Sequence, residues 1–261
     1  MNVVRAELAT LARRKVLVTT ALATAAFAVI TTLATLLSAE PAAGPSRGRG
    51  ATLESLAEPG GGTEAFSLGI GFVGLLVLVA FSARLAGEFS HGTLRTVLIK
   101  EPRRLSVVLG KLAALLAFMA AVLLLAEALS FAASVLIAPT QDVATANWYG
   151  LDAIGEAAGD YAAALAGTSA WALYGMTLAL LLRSVAIAVG VGVAWAGPLE
   201  HITAESWQAA ERWFPGLQLE TLAGGGTSDL SYERALLLTA IYATLALAAG
   251  LVTLRRRDIA G

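Results

Sequence analysis

The sequence predicts an all-α polytopic membrane protein with six transmembrane helices, and three observations carry that reading. Of 261 residues, 57% are hydrophobic and only 14% are charged, a balance that belongs to membrane-embedded chains rather than to soluble domains. Six apolar segments approach the roughly 20 residues that a helix needs to cross a hydrocarbon core about 30 Å thick. The charges between them sort by alternate loops, as membrane topology demands.

The spans are predicted at about 16–39, 66–86, 108–138, 161–182, 185–199 and 234–254. Arg13, Arg14 and Lys15 before the first give it the look of a secretory signal. Its apolar run of roughly 24 residues is too long for a signal core of about 7–15, so it reads as an uncleaved span. Ahead of it, Val4, Leu8 and Leu11 stand at i, i+4 and i+7 among Arg5, Arg13 and Arg14. That spacing predicts a short amphipathic helix over residues 2–14 lying on the inner membrane surface; the plainer alternative is a basic anchor that only fixes topology.

The loop 40–64, rich in Gly and Pro, reads as a flexible surface connection with no fold of its own. The third span contains Glu127, the one ionisable residue well inside an apolar run. A charged acid at mid-span costs about 2.5–3.5 kcal/mol on insertion scales, so Glu127 is expected to face the bundle interior or a cavity, or to be protonated. It could be a polar contact on a substrate path or a helix-to-helix hydrogen bond, with Ser130 and Ser134 as polar neighbours.

Arg183-Ser184 alone joins the fourth and fifth spans, which predicts a tight antiparallel hairpin. The fifth is short, because Pro198 is expected to end it. In 200–226, Trp207, Trp213, Phe214, Leu217 and Leu219 recur among acids. Such rings favour the headgroup zone, so the stretch is expected to form short helices re-entering the outer leaflet, with a soluble loop cap as the alternative. Small residues in the spans, Gly69, Gly71, Gly74, Gly167, Gly175, Gly190 and Gly192, fit close helix approach. With no internal repeat or boundary, residues 1–261 read as one transmembrane domain.

One set of alternate loops (1–15, 84–111, the 183–184 turn and the tail after Leu254) holds fourteen of the eighteen Lys and Arg residues and only four acids. The other holds four Arg and fourteen acids. The positive-inside rule then expects both termini in the cytoplasm. Fifteen Arg against three Lys, with abundant Ala and Gly, match a GC-rich bacterial genome, hence an expected bacterial cytoplasmic membrane.

Several chemistries are excluded. No G-x-x-x-x-G-K-[ST] is present, so the chain is not expected to bind nucleotide through a P-loop. There is no cysteine and no H-E-x-x-H, and the predicted topology separates His91 from His201, which argues against a two-histidine metal site. No cofactor, metal, catalytic residue or nucleic-acid contact is expected.

The segment 84–111 concentrates six cations, Arg84, Arg95, Lys100, Arg103, Arg104 and Lys111, between two apolar runs. Arg84, Glu88 and His91 share one helical face, Leu94, Val97 and Leu98 form a small apolar stripe, and Glu101-Pro102 breaks the pattern. A short surface helix over about 88–100 is expected between two spans. The order Gly87-Glu88, Gly92-Thr93-Leu94, an apolar run, Pro102, Arg103-Arg104, then Gly110-Lys111 resembles the cytoplasmic signature of ABC-2 type permeases, the membrane subunits of one class of ATP-driven transporters.

The resemblance extends to the basic entry helix, the six spans and the short fifth span with its outer re-entrant segment. It implies that the 88–100 helix is a coupling helix seated in a cleft of a separate ATPase. Arg84, Gly87, Glu88, His91, Gly92, Thr93, Leu94, Arg95 and Pro102 would be the coupling positions, and helix 2–14 a second contact. It further implies two ATPase subunits that bind ATP and Mg, and a second permease copy or a homologous one. The substrate would be a drug, lipid, antibiotic peptide or glycan, exported on a pathway that includes Glu127. Two rivals stand beside this reading: a membrane scaffold or sensor docking another soluble partner, and an ion-coupled carrier using Glu127.

Overall fold

The computed structural model describes residues 3–39, 51–100, 103–207, 209–223 and 230–256. In chain order its α-helices are α1 (Val3–Leu11), α2 (Arg14–Leu37), α3 (Leu53–Ala57), α4 (Glu64–Ser90), α5 (Thr93–Lys100), α6 (Arg104–Ile137), α7 (Leu151–Leu182), α8 (Val185–Ala194), α9 (Glu200–Ser206), α10 (Pro215–Ala223) and α11 (Tyr232–Arg256). No strand occurs among the described residues. Six helical stretches are long and apolar enough to cross a membrane: α2, α4, α6, α7, the run α8–α9, and α11. The chain is a multi-pass helical membrane protein. Large apolar side chains such as Leu22, Ile30, Phe72, Leu136 and Leu245 remain exposed on these helices, as a lipid solvent allows.

Three boundaries differ from expectation. Helix α7 begins at Leu151, ten residues before the apolar run, and the added turns carry Asp152, Glu156 and Asp160. Acids in the first turns of an Ala-rich helix are favoured by its dipole, so hydropathy marks where lipid begins, not where the helix does. Pro198 does not end the fifth span. The helix widens into a π-helical stretch, Trp195–Leu199, and continues into α9. Proline has no N–H to donate and clashes with the carbonyl four residues back; a local π turn is one way to absorb it.

The loop 40–64 is the third. From residue 51 it is folded. Thr52 caps α3 through a reciprocal pair of hydrogen bonds with Ser55, and Leu56, Ala51, Leu36, Ala138, Val143 and Trp148 form one buried cluster. The Trp148 indole donates to the Leu56 carbonyl at 2.9 Å. The glycine that read as flexibility is a packing position: a Cβ on Gly62 would lie 2.7 Å from the Phe131 ring.

By contacts the residues group into two compact units, Met1–Thr10 with Gly71–Ala117 and Ala166–Gly261, and Leu11–Ile70 with Phe118–Leu165. In the first, α4 and α7 meet through small residues. A Cβ on Gly74 would lie 2.3 Å from Trp171, one on Gly175 2.5 Å from the Leu78 carbonyl, and Ser82 donates to the Gly175 carbonyl at 3.0 Å. Helix α8 returns beside α7 after Arg183-Ser184, where a Cβ on Gly192 would lie 3.0 Å from Leu178. Leu222, Leu230 and Ala235 pack together with Tyr232 and Leu238. In the second, Thr32 of α2 and Ser130 of α6 share a buried hydrogen bond of 3.1 Å.

Candidate functional site

The expected coupling segment is divided between two helices. Arg84, Gly87 and Glu88 belong to the last turns of α4, which runs to Ser90. Gly92 then adopts φ +70° with nothing near its missing Cβ. That left-handed conformation is costly for residues with a Cβ and free for glycine, so Gly92 is the hinge at which the chain leaves α4. Thr93 opens α5, and its hydroxyl donates to the Glu88 carbonyl at 3.3 Å. Leu94 is 1% exposed and anchors α5; Val97 and Leu98 are half-buried, and Ile99 is 78% exposed. Arg95 lies on α5, with its side chain outside the described residues, and Pro102 lies outside them altogether.

Arg84 and Glu88 meet two residues that the resemblance did not list as a site. Arg84 Nε donates to Glu7 Oε1 at 2.9 Å, with its Nη2 bonded to the same oxygen. Lys111 Nζ donates to Glu7 Oε2 at 2.9 Å and to Glu88 Oε1 at 2.8 Å. The four charges alternate in sign and join α1, the end of α4 and the start of α6, the two helices on either side of α5. Burial tends to raise the Glu7 pKa, but hydrogen bonds and charge from Lys111 and Arg84 outweigh it and hold this carboxyl below its ordinary value. Close packing reinforces the junction, since a Cβ on Gly110 would lie 3.1 Å from the Val3 side chain.

The expected face of Arg84, Glu88 and His91 is therefore only partly realised as a contact. His91 is exposed, and its Nδ1 hydrogen-bonds the Gly87 carbonyl of its own helix at 2.7 Å. Next to this end of α4 lies the α7–α8 turn: the Arg183 guanidinium sits 5.3 Å from the Phe89 ring centroid, within cation–π range.

Glu127 lies in the second unit. It is 7% exposed and lines a cleft of about 480 Å³ with Thr63, Phe131, Trp148, Ile154 and Tyr161. Its Oε1 has no hydrogen-bond partner, and Ser130 is engaged with Thr32 instead. Across the same unit Asp160 accepts the Thr63 hydroxyl at 2.7 Å.

Lys111 stood in the charged segment 84–111, and Glu7 carried a legible signal of its own. Glu7 sits three residues after Val4 and four before Leu11, on the apolar face of α1, where an acid needs a buried cation. Among the described residues no group of three or more His, Asp or Glu side chains is placed to hold a metal ion. Neither models of known protein families nor characterised proteins gave a match to the sequence.

Proposed function

We propose that this chain is the permease subunit of an ABC-2 type transporter in a bacterial cytoplasmic membrane, with both termini inside the cell. On this reading α1 lies at the inner interface, and α5 is the coupling helix that seats in a cleft of a separate ATPase. The α9–α10 region re-enters the outer leaflet. Two ATPase subunits bind ATP and Mg, and this chain, paired with a second permease, makes no covalent chemistry of its own. The cargo exported is hydrophobic or amphipathic, and Glu127 is a polar point on its path.

The observation that carries the reading is the four-charge cluster of Glu7, Arg84, Glu88 and Lys111, in which Glu7 and Lys111 are buried and Arg84 and Glu88 partly so. A coupling helix must transmit force rather than absorb it. The cluster clamps α4 and α6, the two rods on which α5 is mounted, to the entry helix α1, so a push on α5 and α1 is delivered to both rods together. A scaffold docking a passive partner has no use for such a joint.

The test is co-expression with candidate ABC ATPase subunits from the same genome. A stable complex should co-purify, and Glu88→Gln should lower ATP hydrolysis stimulated by the permease while leaving the ATPase's own basal rate intact. If the chain binds no ATPase under any condition, the reading fails.

A further inference from the structure

A second buried carboxylate belongs to the first unit. Glu200, at the start of α9, is 1% exposed. Its Oε2 accepts the backbone N–H of Leu217 at 2.9 Å, and the backbone N–H of Gly216 and the Trp195 indole N–H also bond the carboxylate. One oxygen thus serves the first turn of α10, whose N–H groups have no partners within the helix. The approach is tight, since a Cβ on Gly216 would lie 2.5 Å from that oxygen. Oε1 is different: it is buried and has no hydrogen-bond partner. An unmatched buried carboxylate oxygen is expensive, and capping α10 explains only the other one.

Glu200 lines a cavity of about 240 Å³ whose wall includes Trp171, Tyr174 and Trp195 together with Leu78 and Leu219. The Tyr174 hydroxyl is a second buried polar atom without a partner. Trp195 is 48% exposed, and Phe214 packs edge-on against it with ring centroids 6.1 Å apart, which fixes the ring at the cavity margin.

We propose that this cavity binds a substituted ammonium cation, with the charged nitrogen against Glu200 Oε1 and its alkyl groups against the aromatic wall. The wall supplies a fixed acceptor and π faces, which attract alkylated cations. An anion or a neutral ligand would leave the carboxylate uncompensated. A bare divalent ion needs six or more oxygens for Ca, or near-octahedral oxygen geometry for Mg, and here one carboxylate oxygen and one hydroxyl stand among apolar groups. The volume falls below the roughly 300 Å³ at which drug-sized pockets begin, so the site takes a headgroup-sized cation. That cation can be the amine of a phospholipid headgroup or a free alkylammonium compound. The proposal needs no ATPase and stands apart from the transporter reading.

The test is a titration of the purified full chain in detergent with tetramethylammonium chloride, read by calorimetry, with sodium chloride at matched ionic strength as control. Saturable binding is expected, weakened at least tenfold by Glu200→Gln and several-fold by Trp195→Leu. Glutamine keeps an acceptor oxygen for the Leu217 N–H, so α10 remains capped; should that variant nevertheless fail to fold, Trp195→Leu decides. Binding that never saturates, that sodium reproduces, or that neither variant weakens overturns the proposal. Repeating the titration in nanodiscs identifies the source. Weaker tetramethylammonium binding in phosphatidylcholine than in phosphatidylglycerol alone supports a lipid headgroup as the occupant, and equal binding in both supports a free cation.

Discussion

Lys111 Nζ lies 2.9 Å from Glu7 Oε2, and each side chain is only 9% exposed. The same nitrogen bonds Glu88 at 2.8 Å, so one lysine holds two carboxylates, while Arg84 supports Glu7 alone. Removing one partner of a buried pair costs about 3–5 kcal/mol, and replacing both costs far less. Lys111→Met should therefore lower the unfolding temperature in detergent more than Glu7→Gln or Glu88→Gln. The Glu7→Gln/Lys111→Met double variant should lose less than the sum of its parts. Additive losses in that cycle would mean that the pair contributes nothing as a pair.

The same cluster sets a pH dependence. Although Glu7 is buried, Lys111 and Arg84 hold its carboxyl below the ordinary 4.5. A carboxyl whose folded pKa is lowered contributes stability that is complete above its unfolded pKa and is lost as pH falls through the folded one. The stability difference between wild type and Glu7→Gln should be constant above pH 4.5 and shrink as the medium is acidified below it. Thermal scans across that range give the difference curve; one that stays flat on acidification contradicts the assignment.

Sequence periodicity sufficed for the spans because a membrane helix is specified locally, by about 20 successive apolar residues. What it missed depends on partners distant in the chain. Thr52 and Ser55 form a cap that is legible on inspection, but the reason α3 is ordered is Trp148, whose indole bonds the Leu56 carbonyl. Glu200 falls just past the expected end of the fifth span at Pro198, in the stretch 200–226 expected to form separate short helices; the helix instead runs on through a π stretch, which is not encoded by any single residue. The cluster was partly legible: Arg84, Glu88 and Lys111 stood together in the charged segment 84–111, whereas Glu7 is 104 positions from Lys111 and only folding brings them together.

Helix α5 offers a separation of fold from contact. Leu94 is buried at 1% exposure while Ile99, five residues on, is 78% exposed. Leu94→Ala creates a void and should cost roughly 2–5 kcal/mol. Ile99→Ser removes an apolar side chain from the surface and should leave stability within about 0.5 kcal/mol of wild type. If α5 docks an ATPase, only Ile99→Ser should weaken co-purification without lowering the unfolding temperature. An Ile99→Ser variant that retains full capture would exclude this surface from the contact.

Gly62 tests whether the segment after residue 51 is a packed element. An added Cβ would lie 2.7 Å from the Phe131 ring and 3.3 Å from Trp148, and these rings are held against each other at 6.4 Å, with Trp148 pinned by its bond to Leu56. Neither ring can yield cheaply, so Gly62→Ala should cost about 1–3 kcal/mol as overpacking does. It should also expose residues 51–62 to protease. Gly71, with nothing within 4 Å of its position, supplies the control: Gly71→Ala should be neutral or slightly stabilising, since alanine favours the helix. Shortening the obstacle in Gly62→Ala/Phe131→Leu should recover part of the loss, whereas a flexible loop would register none of these changes.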